Sequence, residues 1–403
     1  SDSDYINELD NKLSQKVSSQ MLSDVPLGAF LSGGIDSTLI TTLMQKNSSE
    51  KIKTFTIGFD DFNYDEAGYA KKIANHIGTN HHEYYLSSKE ALNIIPNLSS
   101  IYSEPFADSS QIPTFLVSKI AKQNVTVALG GDGGDELFGG YNRYVLGKKM
   151  WSQISFLPLS VRLLISNILN SFSPEKYNSI FNTLFSLLPL NKTYSNIGDK
   201  LHKGARVMTA NTGDELYNLF ISHWLKPEEI INNSNDNLYN KIEFIKNIGS
   251  DDTIFNMMVA DLIYYLPDDI LCKVDRAAMS NSLETRLPML NHEIVEFSLG
   301  LPMNLKIRNN VGKWILRQII YKYIPKNLID RPKMGFGIPI GSWLRGPLND
   351  WAEDLLSKKK LEDHGYFNYE PIQRCWNEHK KGKYNWATSL WSILMFQEWY
   401  FNQ

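Results

Sequence analysis

Ser32-Gly33-Gly34-Ile35-Asp36-Ser37-Thr38 follows at once on the apolar run Val25-Pro26-Leu27-Gly28-Ala29-Phe30-Leu31. Glycines let a backbone come close to a ligand. The N–H groups of such a turn, with a helix starting behind it, attract anions. A helix is expected there because Leu39, Ile40, Leu43 and Met44 fall on one face. A Walker-type turn would close on Gly-Lys-Ser/Thr, and this loop has no lysine. Asp36 stands there instead; it cannot neutralise phosphate but can hold the Mg²⁺ that does. A second glycine turn, Gly130-Gly131-Asp132-Gly133-Gly134-Asp135-Glu136-Leu137-Phe138-Gly139-Gly140-Tyr141, follows Val125-Thr126-Val127-Ala128-Leu129. Alone it would read as a flexible acidic surface loop. Facing the first turn, it would supply a second carboxylate, so Asp36 and Asp135 are expected to share one Mg²⁺ on a triphosphate.

For the turns to meet, the elements around them must form one sheet. Strand patterns at 25–31, 53–57, 82–86 and 125–129 alternate with helix patterns at Asp65–Ile77 and Ile112–Lys122. The alternation predicts an α/β fold, a parallel sheet with helices on both faces. Ligands bind such sheets outside the carboxyl ends of the strands, where both turns fall. From about residue 145 the strand signal fades. Val161–Leu169, Ile180–Leu188, Asp251–Tyr265, Asn291–Leu299 and Trp314–Tyr323 read as helices, and Ile231–Asn237 reads as an exposed loop. The expected division is a leading helix at 1–24, an α/β core at 25–145 and a mainly helical lobe at 146–403.

The chain's 403 residues carry a formal charge of −3, with Lys+Arg 41 against Asp+Glu 44, a balance that argues against nucleic-acid or membrane-surface partners. Cys272 and Cys375 are the only cysteines, which excludes a disulfide scaffold or a cysteine-held metal cluster and suits a reducing cytoplasm. No apolar stretch is long enough to span a bilayer, and Ser1-Asp2-Ser3-Asp4 does not begin a signal peptide. His81-His82-Glu83 lacks the helical spacing of a zinc site and reads as strand.

Further motifs recur in order along nearly the whole chain: Phe55-Thr56-Ile57-Gly58-Phe59 with Tyr64-Asp65-Glu66, Asn142-Arg143-Tyr144, Tyr265-Leu266-Pro267-Asp268-Asp269, Lys273-Val274-Asp275-Arg276-Ala277-Ala278-Met279, Leu283-Glu284-Thr285-Arg286-Leu287-Pro288 and Arg331-Pro332-Lys333-Met334-Gly335-Phe336. With the two glycine turns, they resemble the synthetase part of the glutamine-dependent asparagine synthetase family, a group of PP-loop ATP pyrophosphatases. The resemblance implies a ligase of asparagine biosynthesis with ATP and Mg²⁺ as cofactors. Adenylation of the aspartate β-carboxylate would release pyrophosphate, and ammonia would then displace AMP. By matching position, Leu31, Ile57, Gly130 and Gly131 line the nucleotide site, and Ser32, Gly33, Gly34, Ser37 and Thr38 cradle pyrophosphate. Asp36 and Asp135 hold the metal, and Lys333 acts on the reacting phosphate. Asp132 occupies a position that is often Glu in the family and is tied to the ammonia step. Lys273, Asp275 and Arg276 head a helix that could seat substrate; an equally good account makes Asp275 and Arg276 a buried structural ion pair. Glu284 and Arg286 lean toward structure.

Residues 301–345 hold nine basic side chains, Lys306, Arg308, Lys313, Arg317, Lys322, Lys326, Arg331, Lys333 and Arg345, against the single acid Asp330. Most are expected on solvated helix faces; Lys333 differs because Pro332, Gly335 and Gly337 put it on a loop. The implied partners are aspartate and ammonia, and a homodimer stays open. The family's glutaminase domain opens on a cysteine nucleophile, whereas this chain opens on Ser1-Asp2. That domain is therefore expected to be missing or separate, with free ammonia as the nitrogen source. The alternatives are an adenylating relative of beta-lactam synthetase or lasso-peptide cyclase type, which the acidic Asp132 disfavours, a tRNA-modifying enzyme, which the charge disfavours, and a regulator without catalysis.

Overall fold

Leu27–Phe30 (β1), Lys53–Phe59 (β2), Asn80–Leu86 (β3), Val127–Leu129 (β4) and Glu284–Arg286 (β5) form one parallel sheet in the order β3-β2-β1-β4-β5. The computed structural model describes residues 1–59, 67–186, 197–232, 250, 252–330 and 338–403. Ala29 lies opposite Thr54 of β2 and Leu129 of β4, and all three are buried. Residues buried on both faces of a parallel sheet require helices above and below.

The chain winds from β1 through Ile35–Lys46 (α2) to β2 and through Ala67–Ile77 (α3) to β3, then returns past β1 by way of Gln111–Lys122 (α4) to β4. Right-handed crossovers place α2 and α3 on one face and α4 on the other, so the sheet is doubly wound. The winding direction reverses between β1 and β4, and the two glycine turns leave those two strands. Such a switch point opens a crevice for a ligand.

The leading helix, Asp2–Gln20 (α1), buries Leu9, Leu13 and Val17 at four-residue spacing and packs on α2. β5 is the strand that the sequence pattern does not announce. Its Glu284-Thr285-Arg286 has no apolar alternation, yet Thr285 pairs with Ala128 of the neighbouring strand β4. Thr253–Ala260 (α6), an eleven-residue π-helix at Asp261–Leu271, and Cys272–Met279 (α7) lead to it. Pro267 sits inside the π-helix, where its missing N–H disturbs the regular ladder.

The chain divides into two compact units that alternate along the sequence. The first comprises Ser1–Ser103, Asp108–Val145 and Ile254–Ile338; the second comprises Glu104–Ala107, Leu146–Thr253 and Pro339–Gln403. This differs from a single boundary at 145, since β5, far beyond it in the chain, extends the sheet. His292–Leu299 (α8) and Trp314–Ile320 (α9) also add buried apolar residues to the core that contains α1 and α2. The second unit is helical, including Leu159–Leu169, Pro174–Ser186, Tyr369–Lys380 and Ala387–Phe401, with Trp376 and Trp391 among its buried residues. Parts of four expected elements, at Asp65–Glu66, Leu187–Leu188, Asn233–Asn237 and Asp251, lie outside the described residues. Among the described residues no single helix is long and apolar enough to cross a membrane.

Candidate functional site

β1 ends in a backbone reversal at Gly33, whose φ of +74° suits glycine, and α2 begins at Gly34 in extended geometry. Leu31 is still tied to β2 through its N–H to the Phe55 carbonyl at 2.9 Å, and both it and Ile57 are buried. The Ser32 and Ser37 hydroxyls lie 3.0 Å apart across the turn, and Ser37 also donates to the Gly34 carbonyl at 3.3 Å. Among the described residues no side chain caps the start of α2. The Thr38 hydroxyl is buried there without a hydrogen-bond partner. An uncapped helix start beside two hydroxyls is suited to anionic oxygens.

The second turn packs directly on the first. A Cβ on Gly131 would lie 2.6 Å from the Ser37 nitrogen, and one on Gly134 would lie 2.5 Å from the Asp36 carboxyl carbon. Gly133, at φ +92°, takes a left-handed bend tight against Leu290. Asp135 opens the short helix Gly134–Phe138 (α5). The sequence expectation that both turns face one place therefore holds, and glycine is the residue that permits it.

Between the carboxylates stands Lys313, which was expected on a solvated helix face and is instead 6% exposed. Its Nζ contacts Asp36 Oδ2 and lies 2.7 Å from Asp135 Oδ1. Burial works against its charge, but the two carboxylates outweigh burial and hold the ammonium above the ordinary lysine range. Lys313 precedes α9 with φ +55° rather than lying on its face, and its N–H donates to the Phe138 carbonyl at 3.0 Å. A sequence signal was present: Gly312-Lys313 follows Asn309-Asn310, a turn leading into the helix.

A second charged group lies beside Asp132. Lys273, 9% exposed, donates to Asp108 Oδ2 at 2.6 Å, and Asp108 also accepts from Ser110 N–H at 2.9 Å and Ser110 Oγ at 2.7 Å. Burial raises Asp108, but Lys273 and Ser110 overcome it and bring the carboxyl down to about 2. Asp269, on the π-helix, is pushed up to about 7 by burial and by the Asp108 charge. Asp132 is also raised, by burial first, with Lys273 opposing and Asp36 adding to the shift. Asp275 and Arg276 are exposed, so they are not a buried ion pair. They line a cleft of about 480 Å³ with Cys272, Val274, Thr285 and Leu287. Arg286 instead bonds Glu284 at 2.6 Å and the Gln20 and Leu22 carbonyls at 2.8 Å, a tie to the end of α1.

Sequence reasoning also assigned nothing to Glu136, which is 1% exposed and accepts from Tyr141 Oη at 2.5 Å. Burial lifts its carboxyl to about 7 against the opposing Tyr141 bond. Arg143 stacks over Tyr141 and Tyr265 at 4.0 and 4.7 Å and pairs with Asp261 at 2.8 Å, where Tyr144 also donates. This network braces the second turn from below. Lys333 lies outside the described residues.

The chain is thus a doubly wound α/β protein whose candidate site is the switch point, where two interlocked glycine turns meet across the buried Lys313. The chain belongs to the asparagine synthase family, whose model it matches over residues 8–400. It is 29% identical over 401 residues to asparagine synthetase [glutamine-hydrolyzing] 1 of Bacillus subtilis, covering 98% of this chain and 59% of that one. Asparagine synthetase B [glutamine-hydrolyzing] of Escherichia coli is 34% identical over 153 residues, 34% of this chain and 27% of that one. Amidase chry2 of Gibberella zeae is 22% identical over 390 residues, 90% of this chain and 56% of that one. The chain thus spans less than two thirds of the length of these relatives.

Proposed function

We propose that this chain carries out ATP-dependent synthesis of asparagine from aspartate and ammonia. The observation that supports it best is the convergence of Asp36 and Asp135, from separate turns, on one cation. That donor set fits Mg²⁺. Among the described residues no cluster of three or more metal-binding side chains occurs. Mg²⁺ commonly takes one or two carboxylates and completes its shell with phosphate oxygens and water. When bound, the ion would neutralise charge on the triphosphate.

The roles proposed for the chain's own residues are those that the family resemblance implies. Ser32, Gly33, Gly34, Ser37 and Thr38 hold the β- and γ-phosphates, and Leu31, Ile57, Gly130 and Gly131 form the nucleoside end. A β-carboxylate oxygen of aspartate attacks the α-phosphorus, the bond to the bridging oxygen breaks, and pyrophosphate leaves. Lys333 meets the charge that develops on the α-phosphate. The nitrogen of ammonia then attacks the acyl carbon, the acyl–oxygen bond breaks, and AMP departs. Asp132, with its raised carboxyl beside Lys273, takes up a proton released by the attacking nitrogen. Most of the acceleration comes from positioning and charge neutralisation.

The test is pyrophosphate release by the purified chain with ATP, Mg²⁺ and ammonium over a panel of carboxylates. Aspartate is expected to support release with AMP and asparagine in equal amounts. Turnover with another carboxylate and none with aspartate would move the chain to a different amide-forming reaction.

A further inference from the structure

We infer that Lys313 is a built-in counter-ion that occupies the metal position between Asp36 and Asp135 and yields it only when a polyphosphate offers the ammonium another partner. This rests on the reading that a divalent cation bridges those two carboxylates. It adds a rule about the order in which ligands can bind.

Lys313 and an ion held between the same two carboxylate oxygens would compete for one place. Lys313 Nζ contacts Asp36 Oδ2 and lies 2.7 Å from Asp135 Oδ1, so it already fills the gap that a bridging ion needs. Two cations at that separation repel strongly in a partly desolvated site. The lysine is also not free to drift away by its backbone. Its N–H is tied to the Phe138 carbonyl at 3.0 Å, and its stem packs where a Cβ on Gly140 would stand. A Cβ on Gly312 would collide with the Gly139 carbonyl, so the backbone that carries the lysine is pressed onto the second turn. Only the side chain can move.

A metal ion arriving alone must therefore push an ammonium off both carboxylates inside a buried site, which is unfavourable without a new acceptor. A triphosphate or pyrophosphate in the Ser32–Thr38 turn supplies oxygens within the swing of a four-carbon stem. Metal and polyphosphate then bind with positive coupling, and by linkage each raises the affinity of the other. AMP has no polyphosphate and does not release the lysine. Once pyrophosphate departs, Lys313 can return and displace the metal.

The probe is Mn²⁺, titrated by electron paramagnetic resonance into the full chain without nucleotide. Wild type is expected to bind weakly, and Lys313→Met, which keeps the stem and removes the charge, at least about tenfold more tightly. Lys313→Gln serves the same comparison if the methionine variant does not fold, with circular dichroism as the check. Tight Mn²⁺ binding by wild type alone, or equal affinities for wild type and variant, would overturn the proposal. Adding AMP should leave wild-type affinity unchanged. A rise with AMP as large as with an ATP analogue that cannot be cleaved would also overturn it. The double variant Asp36→Asn/Lys313→Met should lose the gain. If it keeps it, the metal is elsewhere, and both the counter-ion role and the bridging-metal reading fall. A chain that shows the expected Mn²⁺ behaviour but makes no asparagine would retain the counter-ion and lose only the proposed reaction.

Discussion

Lys313 meets Asp36 and Asp135 across two glycine turns, whereas Lys273 meets Asp108 within hydrogen-bond distance and has Asp269 as a more distant neighbour. Both are buried lysines among carboxylates. At the first, the carboxylates come from loops after separate strands and both touch the ammonium directly. At the second, the lysine and serine hold Asp108 low, while burial and the Asp108 charge push Asp269 up toward its protonated form. The second neighbourhood pairs one lysine with one carboxylate and has a second carboxyl that takes up a proton more readily than usual. The first sets one ammonium against two carboxylates and is left with a net negative charge. The difference teaches how buried carboxylates are compensated: a raised carboxyl can be neutralised by a proton, whereas the pair at the turns keeps excess negative charge, as the proposed exchange of its lysine for a metal requires.

The largest expected effect would break the first neighbourhood. Asp36→Asn and Asp135→Asn should each lower pyrophosphate release by more than about a thousandfold, beyond the usual cost of losing one charge-stabilising donor, with an unchanged circular dichroism spectrum. Near-full activity in either would separate the two turns functionally. Lys273→Met tests the second neighbourhood. Leaving the partly buried Asp108 without its cation, though still bonded by Ser110, should cost about 3 kcal/mol or less, read from the midpoint of urea unfolding. A raised KM for aspartate at unchanged stability would instead make Lys273 a substrate residue.

Lys333→Ala sharpens the comparison by asking whether a lysine that acts only on developing charge can be told from one that holds the ground state. It should raise the barrier by about 3–4 kcal/mol while ATP affinity changes little, as single-turnover pyrophosphate release and equilibrium binding would register. A loss confined to ATP binding would remove Lys333 from the chemical step. Glu136 gives the smallest effect, and its sign follows from the direction of the shift. Its carboxyl is raised from 4.5 to about 7 in the folded state. Its contribution is thus fully present below the unfolded value and is lost as pH rises through the folded one. Up to about 3 kcal/mol of stability should disappear between pH about 4.5 and 7. Glu136→Gln, which can still accept from Tyr141, should flatten that part of the melting-temperature profile. An unchanged profile would place the titration elsewhere.

Much of the sheet was legible because its signals are local. Leu27–Phe30, Lys53–Phe59, Asn80–Leu86 and Val127–Leu129 lie within or overlap apolar runs flanked by helical periodicity. β5 was not legible, since Glu284-Thr285-Arg286 becomes a strand through pairing with β4 rather than through any pattern of its own. Lys313 was misread for a related reason: one basic residue among nine in a basic stretch looks like the others until its backbone is placed. Asp275 and Arg276 were legible only as two alternatives, a substrate-seating pair or a buried ion pair, and their exposure along a cleft removes the second.

By itself the sequence determined the two glycine turns, the strands that precede them and hence the end of the sheet where a ligand would bind. Turn chemistry and hydrophobic period act over a few residues and need no distant partner. Only the tertiary structure decided that Asp36 pairs with a lysine 277 residues away, and that Gly131, Gly134 and Gly140 let the turns close on each other. Electrostatic partnership depends on which backbones approach within a few ångströms, and that distance is set by the packing of the whole first unit rather than by any stretch of its chain.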